Sequence, residues 1–277
     1  MSLRPVSVST VLFDGHSMDL AIAEIAAAGG GAIEPAFIEG YVDFDESVFS
    51  PRAAAALIGR LDAAHLTAGA VSAHLDLSEP EAATALARRI GFAGDLGAPF
   101  LITNSGPAAK ADAIRRTVEA VLPVLEATGV TLALENPGHG DGNLTGTTAA
   151  AAAFIAAIGA PLVRMNHDAG NVFTYSRQAC QPADDLRHAP RIVAHAHLKD
   201  VLDRDGGWAF CAIGDGDVDL AAYLAALPPG CPVSIELPLR LSRPSRLDPV
   251  RAGAPVPLDA LRAALSCSLH YLAARGG

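Results

Sequence analysis

Apolar and polar positions follow one scheme along the whole chain: a short, nearly continuous apolar run, then a longer stretch with helical periodicity. The apolar runs predict strands over Val6–Leu12, Ala32–Glu34, Ala68–Ala73, Phe100–Thr103, Thr131–Glu135, Leu162–His167, Ile192–Leu198 and Val233–Glu236. Helices are expected between them, near 18–28, 51–65, 80–94, 110–127, 147–159, 183–189, 219–227 and 257–274. Ser50-Pro51 and Ser78-x-Pro80 place a cap residue or a first-turn proline, and Thr147 can cap the fifth helix. The strands do not alternate apolar with polar, as expected where a parallel sheet is buried on both faces. Eight such units with no composition break predict a single (β/α)₈ TIM barrel over residues 1–277.

An open doubly wound sheet is the competing architecture, but its phosphate-binding turn is missing. Gly29-Gly30-Gly31 follows a helix and leads into a strand, the reverse of that turn, and reads as a helix C-cap and loop. After the last strand, RLSRPSRLDPVRAGAPVPLD reads as a long loop beside the barrel mouth, placed to act as a lid.

Composition narrows the partners. Hydrophobic residues make up 51% and charged residues 18%, which supports a well-filled core. A net charge of −10 with no compensating Lys/Arg run excludes nucleic acid as the expected ligand. No apolar stretch approaches the roughly 18–20 residues a membrane span needs, and the first residues lack a signal-peptide core. Cys180, Cys211, Cys231 and Cys267 are widely spaced and read as buried free thiols. These features together predict a cytoplasmic protein. Lysine occurs only at Lys110 and Lys199, so each draws some attention.

Barrel chemistry belongs to the C-terminal ends of the strands. Here those ends carry Glu34, His74, Asn104-Ser105, Glu135-Asn136, His167-Asp168, His197 with Lys199-Asp200, and Glu236. A carboxylate after an apolar strand is costly to bury unless it is paired or binds a cation. Glu135 taken alone reads equally well as a salt-bridge partner. As a set, Glu135, Asp168, His197 and Glu236 would repel one another without a positive centre. Three carboxylates and an imidazole suit one divalent ion, Mn²⁺ first, with Mg²⁺, Co²⁺ or Zn²⁺ as alternatives. His195 lies two residues before His197 and points the same way, deeper in the strand, as a packing or supporting histidine. Asp215-Gly-Asp217-Val-Asp219 fails as a calcium loop, because Ala226 stands where a bidentate Glu belongs. No GxSxG elbow or GxxxxGK[ST] loop is present.

Taken together, LALEN (Leu132–Asn136), HDAGN (His167–Asn171), HAHLKD (His195–Asp200), IGDGDVD (Ile213–Asp219) and SIEL (Ser234–Leu237) resemble the xylose-isomerase-like TIM-barrel superfamily. GAIEPAF on the second strand is a weaker match. That superfamily holds sugar isomerases, epimerases and related lyases. The resemblance puts its four metal ligands on Glu135, Asp168, His197 and Glu236, with both glutamates also serving as acid and base. Its substrate contacts fall on Glu34, His74, Asn171, Lys199 and Arg240. Endonuclease IV shares the superfamily but uses more metal-binding side chains. Trp208, Phe210 and Asn171 occupy positions where that enzyme has ligands, so one metal and no DNA repair is expected.

What the resemblance implies is an isomerase or epimerase that moves a proton next to a carbonyl of a keto-sugar or oxo-sugar acid. A lyase that expels a β-hydroxyl or CO₂ is the alternative, with Lys199 assisting. A non-catalytic sugar-binding barrel is the third option, and retention of both glutamates argues against it. The expected partner is a small sugar or sugar acid, with assembly into a homo-oligomer left open.

Overall fold

The computed structural model describes residues 4–275, so the outermost residues of the expected 1–277 domain lie outside the described residues. The barrel strands are β1 (Val6–Ser9), β2 (segments Ala32–Glu34 and Ala36–Phe37) and β3 (segments Thr67–Ala68 and Val71–Ala73). They continue with β4 (Phe100–Asn104), β5 (Thr131–Glu135), β6 (Val163–Asp168), β7 (Val193–Leu198) and β8 (Val233–Ile235). Every pairing among them is parallel. The first segment of β2 pairs with the first of β3 and the second with the second, and β8 pairs with β1, so the sheet runs round into a barrel. Pro35 interrupts β2 because it has no N–H to give to a ladder.

The helices pack outside, their apolar stripes against the strands. Ser50, with Pro51 at the first helical position, caps Pro51–Ala63, and Thr147 accepts from Ala150 N–H to cap Thr148–Ile158. Ile33, Leu101, Leu132, Leu134 and Met165 on the strands are fully buried against Ile25, Leu86, Ile90, Ile114 and Leu125 on the helices. Among the described residues no helix is long and apolar enough to cross a membrane.

Four local expectations change. The first strand ends at Ser9, and Thr10–Phe13 turns as a 3₁₀ helix. A helix, Ala169–Tyr175, follows β6 without a loop; its run of Gly, β-branched and aromatic residues has low helix propensity, and the Asp168 cap decides it. The segment after β8 is not an open loop. Leu241–Arg243 pairs with Gly207–Cys211, which pairs with Asp200–Arg204, and Val250–Arg251 adds a fourth antiparallel strand. This small sheet caps one side of the barrel mouth. All four cysteines are free, but only Cys231 is buried and Cys267 is exposed.

The acidic IGDGDVD turn is organised by an internal anion. The Asp200 carboxylate accepts from the backbone N–H groups of Val201, Gly214, Gly216 and Val218 at 2.9, 2.8, 3.1 and 3.3 Å. A Cβ at Gly216 would lie 2.1 Å from Asp200 Oδ1, which is why glycine stands there. Replacing Asp200 with Ala orphans these donors, so Asp200→Ala is expected to cost about 1–3 kcal/mol. Urea denaturation checks this, and an unchanged midpoint would mean the turn holds itself.

Candidate active site

Strand register brings the predicted residues together. Asn104 is level with Glu135, Glu135 with Asn166, Asp168 with His197, and His197 with Ser234. The β6–β7 pairing slips by one residue between Met165 and Asn166. Before the slip the offset would set Asp168 beside Ala196; after it, Asp168 is level with His197. One ligand atom from each of Glu135, Asp168, His197 and Glu236 lies within 4.8 Å of all the others.

His197, Asp168 and Glu135 are each held from behind. His197 Nε2 donates to Glu34 Oε2 at 3.1 Å, and Ser72 Oγ donates to Glu34 Oε1 at 2.8 Å. This leaves His197 Nδ1 facing Glu135 at 2.7 Å, Glu236 at 3.3 Å and Asp168 at 3.5 Å. Asp168 divides its oxygens: Oδ1 accepts the Asn171 N–H at 2.7 Å as a helix cap, and Oδ2 points to the cluster. Asn136 bridges the ends of β5 and β6 by accepting from Asp168 N–H and donating to Asp168 O. Asn166 Nδ2 donates to Glu135 Oε1 at 2.7 Å. His195 packs below, between Asn166 Oδ1 at 2.8 Å and Ser234 Oγ at 3.2 Å.

Charge is concentrated out of water. Glu34, Glu135, Asp168 and Glu236 are all at most 2% exposed, with Lys199 and His197 the nearest cations. Lys199 Nζ lies 2.7 Å from Asp168 Oδ2 and 2.6 Å from Glu236 Oε2. Burial alone would raise the Glu34 pKa, but attraction to His197 and its hydrogen bond hold it down at about 2. Burial likewise opposes ionisation of Glu236, and Lys199 and His197 outweigh it, keeping the carboxylate charged. For His195, burial dominates and pushes the imidazole down to about 3, so that ring is neutral.

The orphaned atoms test whether a cation fits. Asp168 Oδ2, His197 Nδ1 and Glu236 Oε2 are all buried and lack a well-aligned hydrogen bond, although they crowd together. Two carboxylate oxygens and an imidazole nitrogen that crowd together with only the Lys199 ammonium beside them suit a divalent ion, which would bind the deprotonated imidazole. An imidazole whose far nitrogen donates to a carboxylate is the usual support for a metal-binding histidine. The residues present therefore fit one divalent metal.

Above the cluster a cavity of about 690 Å³ opens to solvent, with Glu135, Glu236, His74, Asn171, Lys199 and Arg243 on its walls. Two residues expected among the substrate contacts sit elsewhere. Glu34 is fully buried behind His197, because that imidazole needs an anion on its Nε2 side. Arg240 donates to Asp14 and to the carbonyls of Ala252 and Gly253, tying down the segment after β8. Arg243, three residues later, lines the cavity instead. Sequence reasoning passed over it because its segment looked like loop. Arg89 was missed too: it donates to the His74 carbonyl at 2.8 Å and stacks on Phe49, fixing the end of β3.

Comparison with known proteins agrees with this architecture. Residues 22–255 match the family model described as xylose isomerase-like TIM barrel. No curated protein matches the sequence. Among solved structures, an L-ribulose 3-epimerase superposes with a TM-score of 0.71 at 18% identity, covering 99% of this chain and 94% of that one. The IOLI protein with a binding zinc atom gives 0.71 at 15% identity, over 98% and 97%. The probable 3-DHS dehydratase AsbF from Bacillus anthracis gives 0.67 at 14% identity, over 94% and 97%. Similarity at this level speaks for the fold.

Proposed function

Because the chain belongs to the xylose isomerase-like TIM-barrel family, we propose that it is a divalent-metal-dependent isomerase or epimerase of a keto-sugar or related oxo-sugar acid. The observation that carries this reading is the pair Glu135 and Glu236, both buried beside His197 Nδ1, at 2.7 and 3.3 Å, and both reaching the cavity.

Glu135, Asp168, His197 and Glu236 would hold the metal, Mn²⁺ first among the candidates. When bound, it would polarise a substrate carbonyl and make the neighbouring C–H more acidic. One glutamate removes that proton, giving an enediolate. The other returns a proton to the opposite face, which yields an epimer; return to the adjacent carbon yields an isomer. General acid–base catalysis of this kind contributes typically about 10²–10⁴-fold. His74 and Asn171 on the walls offer hydrogen bonds that orient hydroxyls.

A dehydratase is the second reading, favoured by the Lys199 ammonium at the cavity wall. It could assist a leaving β-hydroxyl, and the similar AsbF fold is that of a probable dehydratase. A panel of keto-sugars and oxo-sugar acids incubated with Mn²⁺ in D₂O, followed by NMR, tests both. We expect exchange of the α-proton in at least one member, with an epimer or isomer formed. Loss of a β-hydroxyl would select the second reading, and no exchange anywhere in the panel would sink both.

A further inference from the structure

We infer that Arg243 receives an oxoanion of the substrate, so that the molecule handled here is a sugar acid or sugar phosphate and not a neutral sugar; this rests on the barrel mouth being the reaction site. Arg243 is 1% exposed. Its Nη1 donates to Gly138 O and, at 2.9 Å, to Thr174 Oγ1, and its guanidinium lies 5.6 Å from the Phe210 ring centre. Those partners are two neutral oxygens and an aromatic face. Nε is buried with no acceptor, and Nη2 has none among the described residues.

The neighbouring cations behave differently. Arg251 pairs with Asp14 and Asp43, Arg246 with Asp203, Arg240 with Asp14, and Lys199 with Asp168 and Glu236. Among the described residues no carboxylate forms an ion pair with Arg243. A guanidinium taken out of water without a counter-charge is costly, and the missing anion is the natural remedy. Its rigid planar donors match a carboxylate or phosphate.

The cap sheet and the cavity floor both hold the group in place. Arg243 is fixed opposite Trp208 in the antiparallel cap. Beneath it the chain is bare: a Cβ at Gly138 would lie 2.5 Å from Arg243 Nη2 and 2.3 Å from Asn171 Oδ1. Asn171 Oδ1 in turn accepts from Lys199 Nζ at 3.2 Å. An anion on Arg243 therefore sits on the same wall as Lys199, one side chain from the carboxylate cluster. Lys199, with two carboxylates of its own, is already neutralised. Arg243 is the cation left for the ligand.

Calorimetric titration of the full chain, Mn²⁺-loaded and chelator-treated, with D-gluconate, D-fructose 6-phosphate and D-fructose tests this. We expect at least one anionic probe to bind about tenfold or more tighter than fructose. Arg243→Gln should erase that advantage and leave fructose within about twofold, with Arg243→Lys recovering part of it. Gly138→Ala, which keeps the charge but displaces Nη2 and crowds Asn171 Oδ1, should weaken the same probe more than it weakens fructose and carries the test if Arg243→Gln does not fold. A gain with gluconate assigns a carboxylate, and one confined to fructose 6-phosphate assigns a phosphoryl group. Unchanged anion affinity in both Arg243→Gln and Gly138→Ala, or an equal loss for fructose, would overturn the inference. Arg243 dependence that persists while Mn²⁺ neither binds nor stabilises would instead remove the metal reading and leave the anion site standing.

Discussion

Glu135→Gln and Glu236→Gln are each expected to slow solvent-deuterium incorporation at the substrate α-carbon by about 10²–10⁴-fold when the reaction starts from the epimer whose proton the missing carboxylate removes. The amide is nearly isosteric with the carboxylate, so the barrel should fold unchanged, but it cannot accept a proton. The two substitutions should differ in what survives. In an epimerase, one glutamate removes the proton and its partner delivers another, so a variant lacking only the delivering group can still wash deuterium in on one face. Running the reaction from each epimer separates the roles. Because both residues are also proposed ligands, metal content is measured on the same samples. A variant that keeps its metal and loses exchange isolates proton transfer; full exchange in both variants would remove the two-glutamate reading.

Metal removal should have the largest effect on stability. Adding Mn²⁺ to chelator-stripped protein at about a thousand times its dissociation constant contributes about 4 kcal/mol, equivalent to about 10 °C in melting temperature for a domain of this size. The stripped site explains the direction. Four buried carboxylates face one lysine and two imidazoles, His197 and His74, and Asp168 Oδ2, His197 Nδ1 and Glu236 Oε2 have no aligned hydrogen bond. Asp168→Asn and His197→Ala should abolish the Mn²⁺-dependent rise. Glu34→Gln is more discriminating, because Glu34 Oε2 accepts from His197 Nε2 while Nδ1 faces the other carboxylates. Weakening that support is expected to cost roughly 10–100-fold in metal affinity without removing a ligand. A thermal melt series against Mn²⁺ concentration measures all of these. If the wild-type chain shows no shift and purifies with less than about a tenth of an equivalent of any divalent ion, the site is not a metal centre, given that binding to the native state alone must raise stability.

Much of this protein was readable because its strands are buried on both faces. Continuous apolar runs located eight strands, and burial at their polar ends is expensive enough that Glu135, Asp168, His197 and Glu236 stood out as needing a shared counter-charge. Local chemistry also set the caps at Ser50 and Thr147. What the sequence could not determine depends on register and on distant backbone. The one-residue slip between β6 and β7 that sets Asp168 beside His197 has no local mark, since any residue can be skipped in a ladder. Glu34 looked like another strand-end carboxylate, and only the closed barrel shows it lying behind His197. The segment after β8 lacks an apolar pattern, so it read as loop; pairing with Gly207–Cys211 makes it a strand and turns Arg243, not Arg240, into the cavity. Burial patterns are written into the order of residues one element at a time. Which side of a neighbour an atom faces is decided only when distant strands set their register against each other.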